Sequence, residues 1–227
     1  MLDYHLVINS HVNYWDNAGK KCYNSIVENF PEYPGENIHI FCSGGDIEKG
    51  YINSNYENSP LTVCPYNSFE YSCLIAILEL NLEYKHFFLL HDTTFAGPKF
   101  KEKIGDFNRN LHAVPLCHFP SMNMGMYRLD HVRENQQYIM NLRNTKYDTN
   151  DLKLFKGLAI NHEDRLLHQK KITETYDSHP VLHPTKTEYY SFLLNPEKPR
   201  KVEYFPNLDL VKVKANFSVT GPYHIDL

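Results

Sequence analysis

Long apolar runs are absent from this sequence. The apolar stretches at residues 73–80 and 87–90 have the length of buried core elements. A membrane-spanning helix needs roughly 20 apolar residues, which neither stretch provides. The opening MLDYHLVINS shows neither the basic nor the apolar segment of a signal peptide. We therefore expect a cytoplasmic protein without a transmembrane segment.

A concentration of positive charge is also missing. Lysine and arginine total 23 against 27 aspartate and glutamate residues, for a formal net charge of −4. The basic residues are scattered, and only residues 198–201 are locally dense. Since nucleic-acid binders usually show a basic stripe, we expect no nucleic-acid partner.

Cysteine is sparse, and several familiar motifs do not occur. The five cysteines are odd in number and form no CxxC pair, which favours buried free thiols in a reducing compartment. There is no GxxxxGK[ST], no GxGxxG after the first predicted strand and no GxSxG. These absences argue against a P-loop NTPase, an ordinary dinucleotide dehydrogenase and an α/β-hydrolase.

The order of strand and helix patterns over the first 90 residues indicates the fold class. Short apolar runs predict strands at residues 4–9, 37–42, 61–65 and 86–90. Helical spacing predicts helices over residues 20–30 and from Asn67 onward, where Asn67 and Glu70 resemble a capping box. This βαβ–βαβ order predicts an α/β fold with a mostly parallel central sheet flanked by helices.

The second half has a looser pattern. We predict a loop with a short helix over residues 93–109. The expected strands are 111–116, 125–129, 154–160, 201–205 and 208–216, and the expected helices are 130–143 and 161–171. At roughly 100–200 residues per domain, the 227 residues are expected to form a single domain.

Polar residues follow three of the predicted strands, at the points where the strands end. In open α/β sheets, ligands bind beyond the carboxyl ends of the strands. The pattern indicates a polar-ligand site, although polar turns also follow strands that have no site. The residues concerned are Asn9, Ser10 and His11, then Ser43 to Asp46, then His91, Asp92 and Thr93.

The segment FFLLHDTT, residues 87–94, resembles the acidic motif of GT-A fold glycosyltransferases. In that family the motif, usually Asp-x-Asp, ends a strand and holds a divalent metal against the diphosphate of the donor. The resemblance implies that His91, Asp92 and Thr93 bind the donor and that Asp92 binds Mn²⁺ or Mg²⁺. This sequence has one carboxylate in the motif. Either residues outside the motif help Asp92 to bind the metal, or the enzyme is metal-independent.

Two further segments carry the resemblance into the second half. Residues 121–128, SMNMGMYR, resemble the acceptor-side segment, which implies acceptor binding by Asn123 and Gly125. The Glu163-Asp164 pair resembles the element that supplies the catalytic base in many inverting members. Asp164 is the preferred candidate for that base, and Glu163 is the second choice. Acidic residues in the first turn of a helix are also favoured by the helix dipole alone.

The resemblance assigns roles to four more side chains. Asn9, Ser10 and Asp46 are expected to hold the nucleobase and ribose, and His224 is expected on the metal or diphosphate. Trp15 is open to two interpretations, stacking on a base or sugar or packing in the core.

The likeness is nearest to small transferases that build surface glycans in bacteria and large DNA viruses, including chlorella viruses. It implies a single GT-A-like domain with a nucleotide-binding half (1–95), an acceptor half (96–175) and a C-terminal wrap (176–227). The implied reaction is inverting, metal-assisted sugar transfer from a nucleoside-diphosphate donor, a UDP-sugar, to a glycan hydroxyl. A sugar nucleotidyltransferase and an inactive glycan-binding protein of the same fold are the alternatives.

Overall fold

The chain forms a series of short strands and helices. The computed structural model describes residues 4–68, 71–105, 113–115, 124–143, 186–190, 200–205 and 208–213. Within these ranges the elements are β1 (His5–His11), α1 (Lys20–Asn29), β2 (Ile38–Ser43), β3 (Ile52–Tyr56), β4 (Ser59–Val63), α2 (Tyr71–Glu79), β5 (His86–His91), β6 (Thr94–Ala96), α3 (Phe100–Ile104), β7 (Ala113–Pro115), β8 (Gly125–Arg128), α4 (Leu129–Glu134), α5 (Gln136–Met140), β9 (Lys186–Tyr190), β10 (Arg200–Phe205) and β11 (Leu210–Val213).

A seven-stranded sheet of order β3-β4-β2-β1-β5-β8-β7 lies at the centre. The four adjacent strands β4, β2, β1 and β5 are parallel, whereas β3 and β8 run antiparallel to their neighbours. Strand β7 is antiparallel to β8 and so points the same way as the central four. The predicted mixed α/β fold with a mostly parallel central sheet is therefore confirmed.

Two hydrophobic clusters form because successive strand residues face opposite sides of the sheet. Leu6 and Ile8 of β1 belong to a cluster that includes residues of α1, and the intervening Val7 belongs to a cluster that includes residues of α2. All three side chains are completely buried. This two-sided cover explains why the central strands read as continuous apolar runs.

Three strands were not predicted, and one predicted helix is divided. Strand β6 lies within the segment expected to be a loop with a short helix, and β9 lies where no strand was expected. Strand β3 was not predicted, because its sequence INSNY is polar and its first four residues are exposed at the sheet edge. The single helix expected over 130–143 is divided into α4 and α5 at Asn135. The Asn135 side chain donates to the carbonyl of His131, and such local bonds compete with regular helix. The predictions for 154–160 and 161–171 lie outside the described residues.

In a second sheet, of order β6-β11-β10-β9, three strands from residues 186–213 join the short strand β6. The predicted strands at 201–205 and 208–216 correspond to β10 and β11. Strand β11 pairs with β6, so that Lys212 lies opposite Thr94. Asp209 secures this junction, because its carboxylate accepts hydrogen bonds from the Lys99 amide and the Tyr204 hydroxyl, both at 2.8 Å. Among the described residues, no helix is both long and apolar enough to cross a membrane.

His39 of β2 is a buried side chain whose two ring nitrogens both have partners. Its Nε2 donates to the Thr62 hydroxyl at 2.9 Å, since that hydroxyl itself donates to Asn53. Its Nδ1 contacts the hydroxyl of Tyr84. Burial, with a smaller contribution from His5, lowers the pKa of His39 to about 4. The ring is therefore a neutral structural element.

We expect His39 to make the protein less stable in mild acid. Its folded pKa lies below the unfolded value of 6.5, so the unfolded chain binds a proton first as the pH falls between the two values. Going from about pH 7 to about pH 5 should cost roughly 1–2 kcal/mol of unfolding free energy. Urea denaturation at both pH values measures this loss, and His39→Gln should reduce it. An unchanged loss in the variant would contradict the assignment.

Candidate functional site

The sheet order places a topological switch point between β1 and β5. From β1 the chain proceeds through β2 to β4 on one side, and β5 then returns to the other side of β1. In open α/β sheets, ligands bind outside the carboxyl ends of the strands at such a reversal. Ser10 lies near the carboxyl end of β1, and Asp92 directly follows β5.

Hydrogen bonds join the two strand ends at the switch point. The Ser10 hydroxyl donates to Asp92 Oδ2 at 2.8 Å, and the Asp92 amide donates to the carbonyl of Asn9 at 3.1 Å. The Ser43 hydroxyl at the end of β2 donates to the Ser10 carbonyl at 3.0 Å. The structure thus brings together Asn9, Ser10 and Asp92, three of the predicted donor-binding residues.

The Asp92 carboxyl group is electrostatically perturbed. Burial raises its pKa to about 6, against the opposing effects of the Ser10 hydrogen bond, a backbone hydrogen bond and the positive charge of Lys212. Its neighbour Thr93 is buried, and both Asp92 and His91 are partly buried. The site therefore holds a carboxylate in surroundings where a charged group is costly, which is frequent at functional sites.

Lys212 is the site residue that sequence reasoning missed. Only 5% of it is exposed, although lysine is rarely buried without a compensating partner. It reaches the switch point because β11 pairs with β6, and the Val213 amide donates to the Thr93 carbonyl at 2.9 Å. A signal was present: Leu208 and Leu210 precede it at strand spacing, which puts Lys212 on the buried face.

His11, the last residue of β1, meets Gly44 in the loop after β2. Gly44 has a φ of +84°, and a Cβ atom there would lie 2.4 Å from His11 Nε2. His11 Nδ1 accepts the Asn13 amide at 3.1 Å, and burial lowers the pKa of His11. The end of β1 and the loop after β2 are therefore in direct contact beside the switch point.

Asp46, expected to hold the ribose, lies farther along the second loop. It is exposed, and its Oδ1 accepts the Glu48 amide at 3.0 Å. Its Oδ2 lies 3.8 Å from Lys49 Nζ. The carboxylate stabilises its own turn, and its donor-binding role stays a prediction.

Gly125, expected on the acceptor side, lies at the same end of the sheet. It is buried at the start of β8 and pairs with Leu89, two residues before His91. The Thr94 hydroxyl contacts the sulfur of the preceding Met124 at 3.1 Å. The structure therefore brings Gly125 near the acidic motif. Four other predicted site residues lie outside the described residues: Asn123, Glu163, Asp164 and His224.

Among the described residues, the side chains around Asp92 do not make up the ligand set of a divalent cation. Mg²⁺ and Mn²⁺ prefer carboxylate and other oxygen ligands. In the part of the chain that the structure describes, no three His, Cys, Asp or Glu side chains cluster as metal ligands. Instead, a buried lysine acts on the single carboxylate. The metal role of Asp92 is thus unsupported by these neighbours, and that of His224 stays a prediction.

The four described cysteines are buried free thiols, as predicted. Burial raises the pKa of the Cys22 thiol, which lies 3.6 Å from the His91 carbonyl oxygen. Burial likewise raises the pKa of Cys42 to about 12. Because thiolates are the nucleophilic form, neither cysteine is suited to nucleophilic catalysis at neutral pH.

Trp15 packs against the protein. Its ring lies 5.1 Å from that of Tyr56 in an edge-to-face arrangement, and a Cβ atom at Gly19 would lie 2.3 Å from Trp15 Cε3. The indole is partly buried on the cluster that includes α1. Of the two interpretations from the sequence, packing is therefore the one that the structure supports.

A cleft of about 440 Å³ lies at the other end of β5, beside His86. Arg128 pairs with Asp130 along it, and Arg133 Nη2 lies 3.2 Å from Glu83 Oε1. None of the predicted site residues that the structure describes lines this cleft. We therefore place the candidate site at the switch point, where the polar side chains converge.

Comparisons with known proteins give no family for this chain: no family model matches it, and no curated protein shows significant similarity to it.

Proposed function

We propose that this protein is a GT-A-type glycosyltransferase that moves a sugar from a nucleoside-diphosphate donor, a UDP-sugar in the first instance, to a glycan hydroxyl. The observation that carries the proposal is the Ser10–Asp92 hydrogen bond at the switch point. It supports the proposal because an acidic residue directly after a central strand, beside the first strand, is the arrangement that the family resemblance implies.

The proposed reaction is a single inverting displacement. The acceptor oxygen forms a bond to the anomeric carbon, while the bond from that carbon to the diphosphate breaks and its electron pair leaves with the diphosphate. A general base takes the acceptor proton. We assign that role to Asp164, with Glu163 as the second choice.

In this scheme the described residues hold the donor. Ser10, Asp92 and the neighbouring backbone would bind its ribose and sugar hydroxyl groups. A divalent metal would assist the departure of the diphosphate by neutralising its charge. Since the described side chains around Asp92 do not make up the ligand set of a cation, no step here depends on one.

The two alternatives differ in the chemistry that follows nucleotide binding. A nucleotidyltransferase would need a Gly-rich, basic loop after β1. Here that loop leads into a π-helical turn, Trp15–Gly19, whose one glycine is covered by the Trp15 ring. A glycan-binding protein that has lost catalysis is favoured only by the single carboxylate of the acidic motif. It would bind donor without turnover.

Thermal unfolding with a nucleotide panel tests the proposal. We expect UDP or GDP at about 100 times its Kd to add about 2.7 kcal/mol of stability. Ser10→Ala should weaken nucleotide binding about tenfold, because hydrogen bonds to charged groups contribute about 1.5–3 kcal/mol. Ser54→Ala, on the exposed edge strand β3, is the control and should leave binding unchanged. If no nucleotide shifts the midpoint, the transferase proposal fails.

A further inference from the structure

We propose that the Lys212 ammonium group takes the place of a divalent metal, binding the donor diphosphate directly and making nucleotide binding metal-independent. This inference rests on the proposed function, and it specifies how the same site neutralises its anionic ligand. It is carried by the position and burial of one lysine.

The backbone delivers Lys212 to the switch point. Strand β6 begins two residues after Asp92, and Thr94 at its start is directly opposite Lys212 in the antiparallel ladder. Directly opposite residues project on the same face of a sheet. The hydrogen bond from the Val213 amide to the Thr93 carbonyl continues this register to the residue next to Asp92. The lysine is therefore fixed beside the acidic motif by main-chain contacts.

The charges also favour this assignment. Lys212 lies opposite Thr94, two residues after Asp92, and its positive charge acts on the Asp92 carboxylate. Within the described ranges of the chain, Asp92 does not belong to a group of three or more His, Cys, Asp or Glu side chains that could hold a metal ion. A diphosphate brings the negative charge that a lysine binds as a point charge.

The chemistry needs a positive charge on the leaving-group side. When the bond between the anomeric carbon and the diphosphate oxygen breaks, the electron pair stays on the diphosphate. A preorganised cation in a site that excludes water stabilises that developing charge strongly. The same neutralisation is the task of the metal in family members with two acidic residues. Lys212 supplies it without a proton transfer.

The test measures UDP and uridine affinity by calorimetry, in EDTA and in Mn²⁺, for the wild-type chain and three variants. We expect the wild type to bind UDP equally well with and without metal. Lys212→Met should bind UDP at least tenfold more weakly while binding uridine normally, and Lys212→Arg should retain most of the affinity. Lys85→Met is the control, because Lys85 is exposed at the opposite end of β5.

The outcomes separate this inference from the proposed function. UDP binding that needs Mn²⁺ would overturn the role of Lys212 and leave the transferase proposal standing. Equal UDP affinity in wild type and Lys212→Met would do the same. If wild type binds neither UDP nor another nucleoside diphosphate, both proposals fail. Should Lys212→Met not fold, the metal dependence of the wild type and the Lys212→Arg affinity still decide the question.

Discussion

Asp92→Asn is expected to raise the stability of the protein at about pH 8 while removing the stabilisation by nucleotide. The folded pKa of Asp92, about 6, lies above its ordinary value of 3.8. An acid shifted in this direction destabilises the fold fully above the folded pKa, and the cost disappears as the pH falls toward the unfolded value. Asparagine avoids the cost and can still accept the Ser10 hydrogen bond. It no longer offers a charged acceptor to donor hydroxyl groups or a counter-charge to Lys212.

Thermal and urea unfolding at about pH 8, 6 and 4.5 measure the effect. Each kcal/mol corresponds to about 2–4 °C in a chain of this size. The advantage of Asp92→Asn should be greatest at the highest pH and small at the lowest. Asp16→Asn is a suitable control, because Asp16 is 84% exposed and its contact with Lys20 is a surface ion pair. A variant less stable than wild type at about pH 8 would show that Asp92 serves the fold.

Gly44→Ala is expected to destabilise the protein by about 2–4 kcal/mol. The φ of +84° at Gly44 costs an alanine about 1–2 kcal/mol. The remainder comes from the new Cβ atom, which would overlap the His11 ring and separate the loop after β2 from the end of β1. Urea denaturation gives the loss directly. Nucleotide binding should weaken with it, because His11 directly follows Ser10 in β1.

Gly50→Ala separates the two causes. Gly50 also has a positive φ, +65°, but nothing lies within 4 Å of an added Cβ atom. It should therefore lose only the backbone cost of about 1–2 kcal/mol. Adding His11→Ala to Gly44→Ala should recover part of the difference. Equal losses at the two glycines would contradict close packing between Gly44 and His11.

The sequence predicted the central strands because two-sided burial leaves a readable apolar pattern. Residues 4–9, 37–42 and 86–90 correspond to β1, β2 and β5, and the helix over residues 20–30 corresponds to α1. The exposed strand β3 leaves no such pattern. It pairs through its backbone with β4, and backbone hydrogen bonds carry no side-chain signature.

The candidate site was predictable to the extent that it follows from local position. Polar residues after β1 and β5 had to lie at one edge of a parallel sheet, and Ser10 does contact Asp92 there. Lys212 was not predicted, because its place depends on a pairing between strands distant in sequence. Only the alternation from Leu208 marked it as inward-facing, and a lysine in that position is easily taken for a surface residue.

The pairing of β6 with β11 has a consequence for folding during synthesis. Asp92 and Lys212 are separated by 120 residues (212 − 92), yet the pairing of β11 with β6 places both at the switch point. On the ribosome, β1, β2 and β5 are synthesised well before β11 emerges. Asp92 can therefore reach its place at the end of β5 before Lys212 has been synthesised. Pairing β6 with β11 closes a long loop, and this pairing is among the contacts with the greatest entropic cost in the described fold.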